Sequence, residues 1–156
     1  MSIETWEWMS YVVTVIGLPM AITVFVIQQR KERENEEEEV YQLLSDSYQD
    51  FLKVALQNPD LRLFSDKSVS SLSDEQKERQ LIIFAMLISL FERAFLLLFE
   101  DAMSPSQTRR WNSWEDYIQE WCQKPHFRSY IPKLLVGEDP RFARYMEQLT
   151  STHGPV

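Results

Sequence analysis

The chain has 156 residues, a formal net charge of −8, a single cysteine and only three glycines. So acidic a chain lacks the basic field that a phosphate backbone requires, which excludes nucleic acid as a partner. One cysteine rules out an intramolecular disulfide and fits a reducing compartment, and the scarcity of glycine argues against a sheet-rich fold full of tight turns.

The first element is an uncharged run, Tyr11 to Ile27, with Trp6 and Trp8 before it and Arg30, Lys31 and Arg33 after it. Met9 to Ile27 supplies 19 residues, against about 20 needed to cross roughly 30 Å of hydrocarbon at 1.5 Å per residue. The tryptophans suit an interfacial aromatic belt, and the cations follow the run whereas Met1 to Ser10 has none. This predicts a single membrane span, with the amino end outside and the carboxyl end inside. A cleaved signal peptide would place its cations ahead of the apolar core. A buried soluble helix is the competing reading, because Thr14, Gly17, Pro19 and Thr23 leave the run only moderately hydrophobic. The same four residues are candidates for packing against other spans or lining a pore: proline frees a carbonyl inside lipid, glycine permits close approach, and the threonine hydroxyls can bond the freed group.

Neither glycine nor proline occurs between Met20 and Asn58, so the helix is predicted to continue past the bilayer as a stalk. Gln28 to Glu39 is polar on every face and supported by pairs such as Arg30 with Glu34 and Arg33 with Glu37. From Val40 a stripe of Tyr41, Leu44, Tyr48, Phe51, Leu52, Ala55 and Leu56 recurs at helical spacing and needs burial. The predicted organisation is therefore 1–27 tail and span, 28–39 stalk, and 40–156 a cytosolic domain. Asn58-Pro59-Asp60 ends the helix, with Asp60 expected to cap a short turn at Leu61 to Phe64, and Ser65 to Ser73 reads as a loop.

Ser73 and Gln76 form a capping box that places the next helix start at Asp74. Leu81 to Phe99 is apolar on all sides apart from Glu92 and Arg93, as the central helix of a bundle is. Read as a second span, its thirteen Leu, Ile and Phe residues are roughly cancelled by two mid-helix charges. The stripe before it and the tryptophans after it need an apolar partner in water, which favours the core reading. Glu92 then faces the core and pairs with a cation, with Arg93 as its neighbour in a buried ionisable pair and Arg109 or Arg110 as other partners.

Trp111, Trp114, Tyr117, Ile118 and Trp121 mark one face of a helix ending before Pro125. Pro125 to Pro132 reads as turn-rich. Asp139 caps a last helix that has Pro140 in its first turn and carries Phe142, Tyr145, Met146 and Leu149. The expected fold is all-α: an N-terminal transmembrane helix continuing into a stalk helix, then a cytosolic bundle of about four helices.

Asn58-Pro59-Asp60-Leu61-Arg62, Phe91-Glu92-Arg93-Ala94-Phe95, Trp111 and Trp114 with Tyr117, Pro125-His126-Phe127 and Asp139-Pro140-Arg141-Phe142 together resemble small bacterial single-pass, membrane-anchored helical proteins of unknown function. That resemblance implies an all-helical protein anchored in a bacterial inner (plasma) membrane, with its C-terminal domain cytoplasmic, and carries no chemistry.

The residues offer little chemistry either. His126 and His153 stand at no metal-ligand spacing, Cys122 is separated from His126 by Pro125, and neither a phosphate loop nor a nucleophile elbow occurs. Arg109 and Arg110 beside Trp111 are offset at once by Glu115, Asp116 and Glu120. No catalytic residue, cofactor or metal is expected. The expected function is a non-enzymatic interaction or scaffold module that acts through membrane-protein partners or self-association. The alternative is a homo-oligomeric channel or membrane-perturbing effector gated by its cytosolic domain.

Overall fold

The computed structural model describes residues 15, 17–65 and 71–152. Every regular element among them is helical: α1 (Leu18–Gln57), a 3₁₀ turn (Pro59–Leu61), α2 (Asp74–Leu98), α3 (Pro105–Gln123), α4 (Pro125–Leu134) and α5 (Pro140–Thr152). Two compact units divide between Val40 and Tyr41, within α1.

In the first unit, Val15 and Gly17 lie in a π-type turn and Pro19 falls in the first turn of α1, where proline is tolerated. Trp6, Trp8 and Thr14 lie outside the described residues. All ten residues from Leu18 to Ile27 are exposed, among them Leu18, Met20, Ile22 and Phe25.

In the second unit α2 packs against α3, α4 and α5, and α3 packs against α4 and α5. Local chemistry explains the boundaries. Ser73 caps α2 through a complete capping box, with the Gln76 N–H donating to Ser73 Oγ at 3.2 Å and the Ser73 N–H donating to Gln76 Oε1 at 2.9 Å. A second capping box, Ser104 with Gln107, starts α3 six residues before its first tryptophan, with Pro105 in the first turn. Asp139 Oδ1 caps α5, accepting the N–H groups of Arg141 at 2.8 Å and Phe142 at 3.2 Å. Gly137, at φ 97°, makes the left-handed turn into that cap.

Trp114, Trp121, Phe84, Phe91, Phe127 and Phe142 are the largest fully buried side chains. Burying each is worth roughly 1.5–3 kcal/mol or more. The aromatic stripe of α1 joins this core: Phe51 meets Trp121 edge-on at 5.6 Å, and the Trp121 indole N–H donates to the Tyr48 hydroxyl at 3.2 Å.

Three expectations need correction. Pro125 to Pro132 is not turn-rich, because Pro125 stands at a first helical position and starts α4, while Pro132 falls in the last turns, where few hydrogen bonds remain to lose. Asp60 caps nothing: it lies inside the 3₁₀ turn and binds α2 instead. His126, beside Pro125 at the start of α4, is buried. Finally, α2 is not covered on all sides. Its buried line runs through Ile83 and Phe84, Leu87 and Ile88, Phe91, and Ala94 and Phe95, while Ile82, Ala85, Met86, Ser89, Arg93, Leu96 and Leu97 face solvent. Among the described residues α2 is the helix long and apolar enough to cross a membrane, with a mean hydropathy of 2.3 over 18 residues, yet half of that window is buried by its neighbours.

Candidate functional site

Pro19 and Thr23 of the apolar segment bond within their own helix: the Thr23 hydroxyl donates to the Pro19 carbonyl at 2.8 Å, one turn back. That commits the hydroxyl proton locally, as Ser and Thr side chains on helices commonly do.

Glu92 and Arg93 do not form a buried ionisable pair. Arg93 is exposed and Glu92 half-buried, because the core line of α2 passes beside Glu92 rather than through it. Glu92 reaches instead to the turn before α5, where Glu92 Oε1 accepts the Asp139 N–H at 2.5 Å and its carboxylate is hydrogen-bonded to the Glu138 carboxyl. Partial burial, then the hydrogen bond to Glu92 and its charge, pushes Glu138 up to about 7. A neighbouring carboxylate favours the protonated form of an acid beside it. The arrangement fastens the cap residue of α5 to the middle of α2. Arg141, two residues on, meets Asp101 at 3.3 Å.

A second polar knot surrounds the turn after α1. Arg79 of α2 donates to Asn58 Oδ1 at 2.9 Å and to Asp60 Oδ2 at 2.6 Å, and Gln76 Nε2 donates to the same Asp60 oxygen at 3.0 Å. These bonds hold the Asp60 carboxyl below the usual carboxylate range. Asn58 Nδ2 closes the end of α1 by donating to the Val54 carbonyl at 2.9 Å. Arg62, next in line, adopts a left-handed conformation at φ 48° and ψ 44°. One turn further, His126 Nε2 is 2.8 Å from the Leu63 carbonyl oxygen. The buried Lys124 places its ammonium 5.5 Å from the Phe64 ring centre and 5.7 Å from that of Trp121, with Glu120 at 3.6 Å. Sequence reasoning assigned Asn58 and Asp60 to helix termination and missed Arg79 and Gln76 as their partners. Their spacing on α2 was visible, but the turn that brings them together was not.

Cys122 is buried, and desolvation raises its thiol to about 12, which keeps it protonated and unreactive. Burial and the neighbouring Glu115 carboxylate, whose Oε1 accepts the Tyr145 hydroxyl at 3.1 Å, raise that phenol as well. No group of three or more His, Cys, Asp or Glu side chains among the described residues is placed to hold a metal ion. Both polar knots join elements to one another. Compared with known proteins, the chain matches no family model, no curated protein and no solved structure.

Proposed function

We propose that the chain is a membrane-anchored, non-enzymatic helical module that holds a packed domain at the cytoplasmic face of a bacterial inner membrane, where it binds membrane-protein partners or further copies of itself. The observation that carries this reading is the segment Leu18–Ile27, ten consecutive uncharged residues, all exposed. An uncovered apolar helix of this kind is unfavourable in water and finds its cover in hydrocarbon. Arg30, Lys31 and Arg33 directly after it support a cytoplasmic carboxyl end. The polar knots support a role without chemistry, since the ionisable groups they contain are engaged in joining helices.

Alkaline extraction of membranes from cells making the full chain tests the anchor. The wild-type chain is expected to stay in the pellet, and the double substitution Leu18→Asp with Ile22→Asp to shift it to the supernatant, since an acid at the middle of a span costs about 2.5–3.5 kcal/mol. Release of the wild-type chain would sink the reading. So would turnover of a small substrate that is lost on changing Glu92 or His126.

A further inference from the structure

The helical domain carries a second exposed apolar surface. Along α2, Ile82 is 55% exposed, Met86 46% and Leu97 51%. Beside them runs a groove of about 280 Å³ between two helices of the same compact unit, with Asp50 and Val54 on the α1 wall, Met86 and Arg93 on the α2 wall, and the buried Phe51 and Leu90 at its base. Its two walls carry opposite charges. Asp50 is exposed and bound only to the equally exposed Lys53 at 2.8 Å, while Arg93 makes no hydrogen bond or ion pair with any described residue.

A groove of one sign repels a copy of itself, whereas this one is self-complementary. A two-fold axis sets the α2 wall of each copy against the α1 wall of the other, because in such a contact every pairing occurs twice. We propose that this face joins two copies of the chain, with Arg93 of each meeting Asp50 of the other and Met86 packing on Val54. The proposal rests on the interaction-module reading and names its partner as a second copy. Apolar cover of Ile82, Met86 and Leu97 provides most of the affinity. The arginine and carboxylate fix the register and reject mismatched surfaces.

The same pairing dictates the test. In the full-length protein in detergent or lipid nanodiscs, light-scattering mass is expected to give a dimer. Arg93→Asp sets two like charges together at each contact, and so does Asp50→Arg, so each variant alone is expected to dimerise at least about tenfold more weakly. Mixed, they are expected to recover the dimer with one copy of each, because both contacts then regain opposite charges. Both side chains are exposed, so neither change is expected to unfold the domain. A monomeric wild type, a dimer indifferent to both single changes, or a mixture that stays monomeric overturns the proposal. If the chain still resists alkaline extraction in any of these cases, the anchor reading survives and only the dimer face is lost.

Discussion

Leu18–Ile27 and Leu81–Leu98 are both apolar helical runs, yet their surroundings are opposite. The first has every residue exposed, whereas the second lies in a helix with Phe84, Leu87, Phe91 and Ala94 fully buried against α3, α4 and α5. The second is also the longer run, and the one that meets the length and hydropathy of a membrane span among the described residues. Apolar character alone therefore does not separate an anchor from a core. What separates them is whether the remaining chain supplies a complementary surface. Here Trp121 of α3 and Phe127 of α4 cover α2 at Phe84, the α1 stripe packs on Trp121 in turn, and no described neighbour covers Leu18 to Ile27.

The sharpest way to break this contrast is to truncate one phenylalanine in each run. Phe84→Ala should destabilise the helical domain by about 3–5 kcal/mol, because it removes a ring in contact with Trp121, Phe127 and Tyr130 and leaves a cavity. Phe25→Ala should change that stability by less than about 0.5 kcal/mol. Denaturant titration in detergent followed by tryptophan fluorescence measures both. Equal losses would mean that Leu18–Ile27 is core after all.

A smaller effect is expected at the start of α2. Ser73→Ala removes the cap and should cost about 1 kcal/mol in the same titration. An unchanged midpoint would show that packing of the α2 core, rather than its cap, sets the onset of the helix.

The smallest effect concerns the acid pair that ties α2 to α5. Glu138 has its folded pKa raised above the ordinary glutamate value. Its contribution is therefore fully present below the unfolded pKa of about 4.3 and is lost as pH rises through about 7. Glu138→Gln keeps a donor for Glu92 without a titrating proton, so it should flatten that part of the stability profile. A profile unchanged from wild type would show that Glu138 does not hold this proton.

Elements whose signals are local were legible in the sequence. Ser73 with Gln76, Asp139 before Pro140, and the helical stripe from Val40 to Leu56 each name their own partners within a few residues, so the all-helical class and several boundaries followed directly. The misreadings share a cause. Pro125 and Pro132 read as breakers, although a proline at a first helical position starts a helix, and only the cover that Phe84 and Trp121 give to Phe127 decides the matter. The placement of Glu92 depended on which side of α2 the later helices occupy, a long-range fact that periodicity does not contain. Asp60 with Arg79, and His126 with Leu63, are separated by 19 and 63 residues. Such polar pairings leave no mark in the sequence until the turns between them are known.

The inertness of Cys122 has a practical side. Buried in the α3 face and held in its thiol form, it presents nothing to alkylating reagents or mild oxidants while the chain is folded. The native sequence therefore serves as its own unlabelled background. A cysteine introduced at any single exposed position, along Leu18–Ile27 or on the α2 face, is the one thiol available for modification. Its labelling from either side of a sealed vesicle reports that position alone.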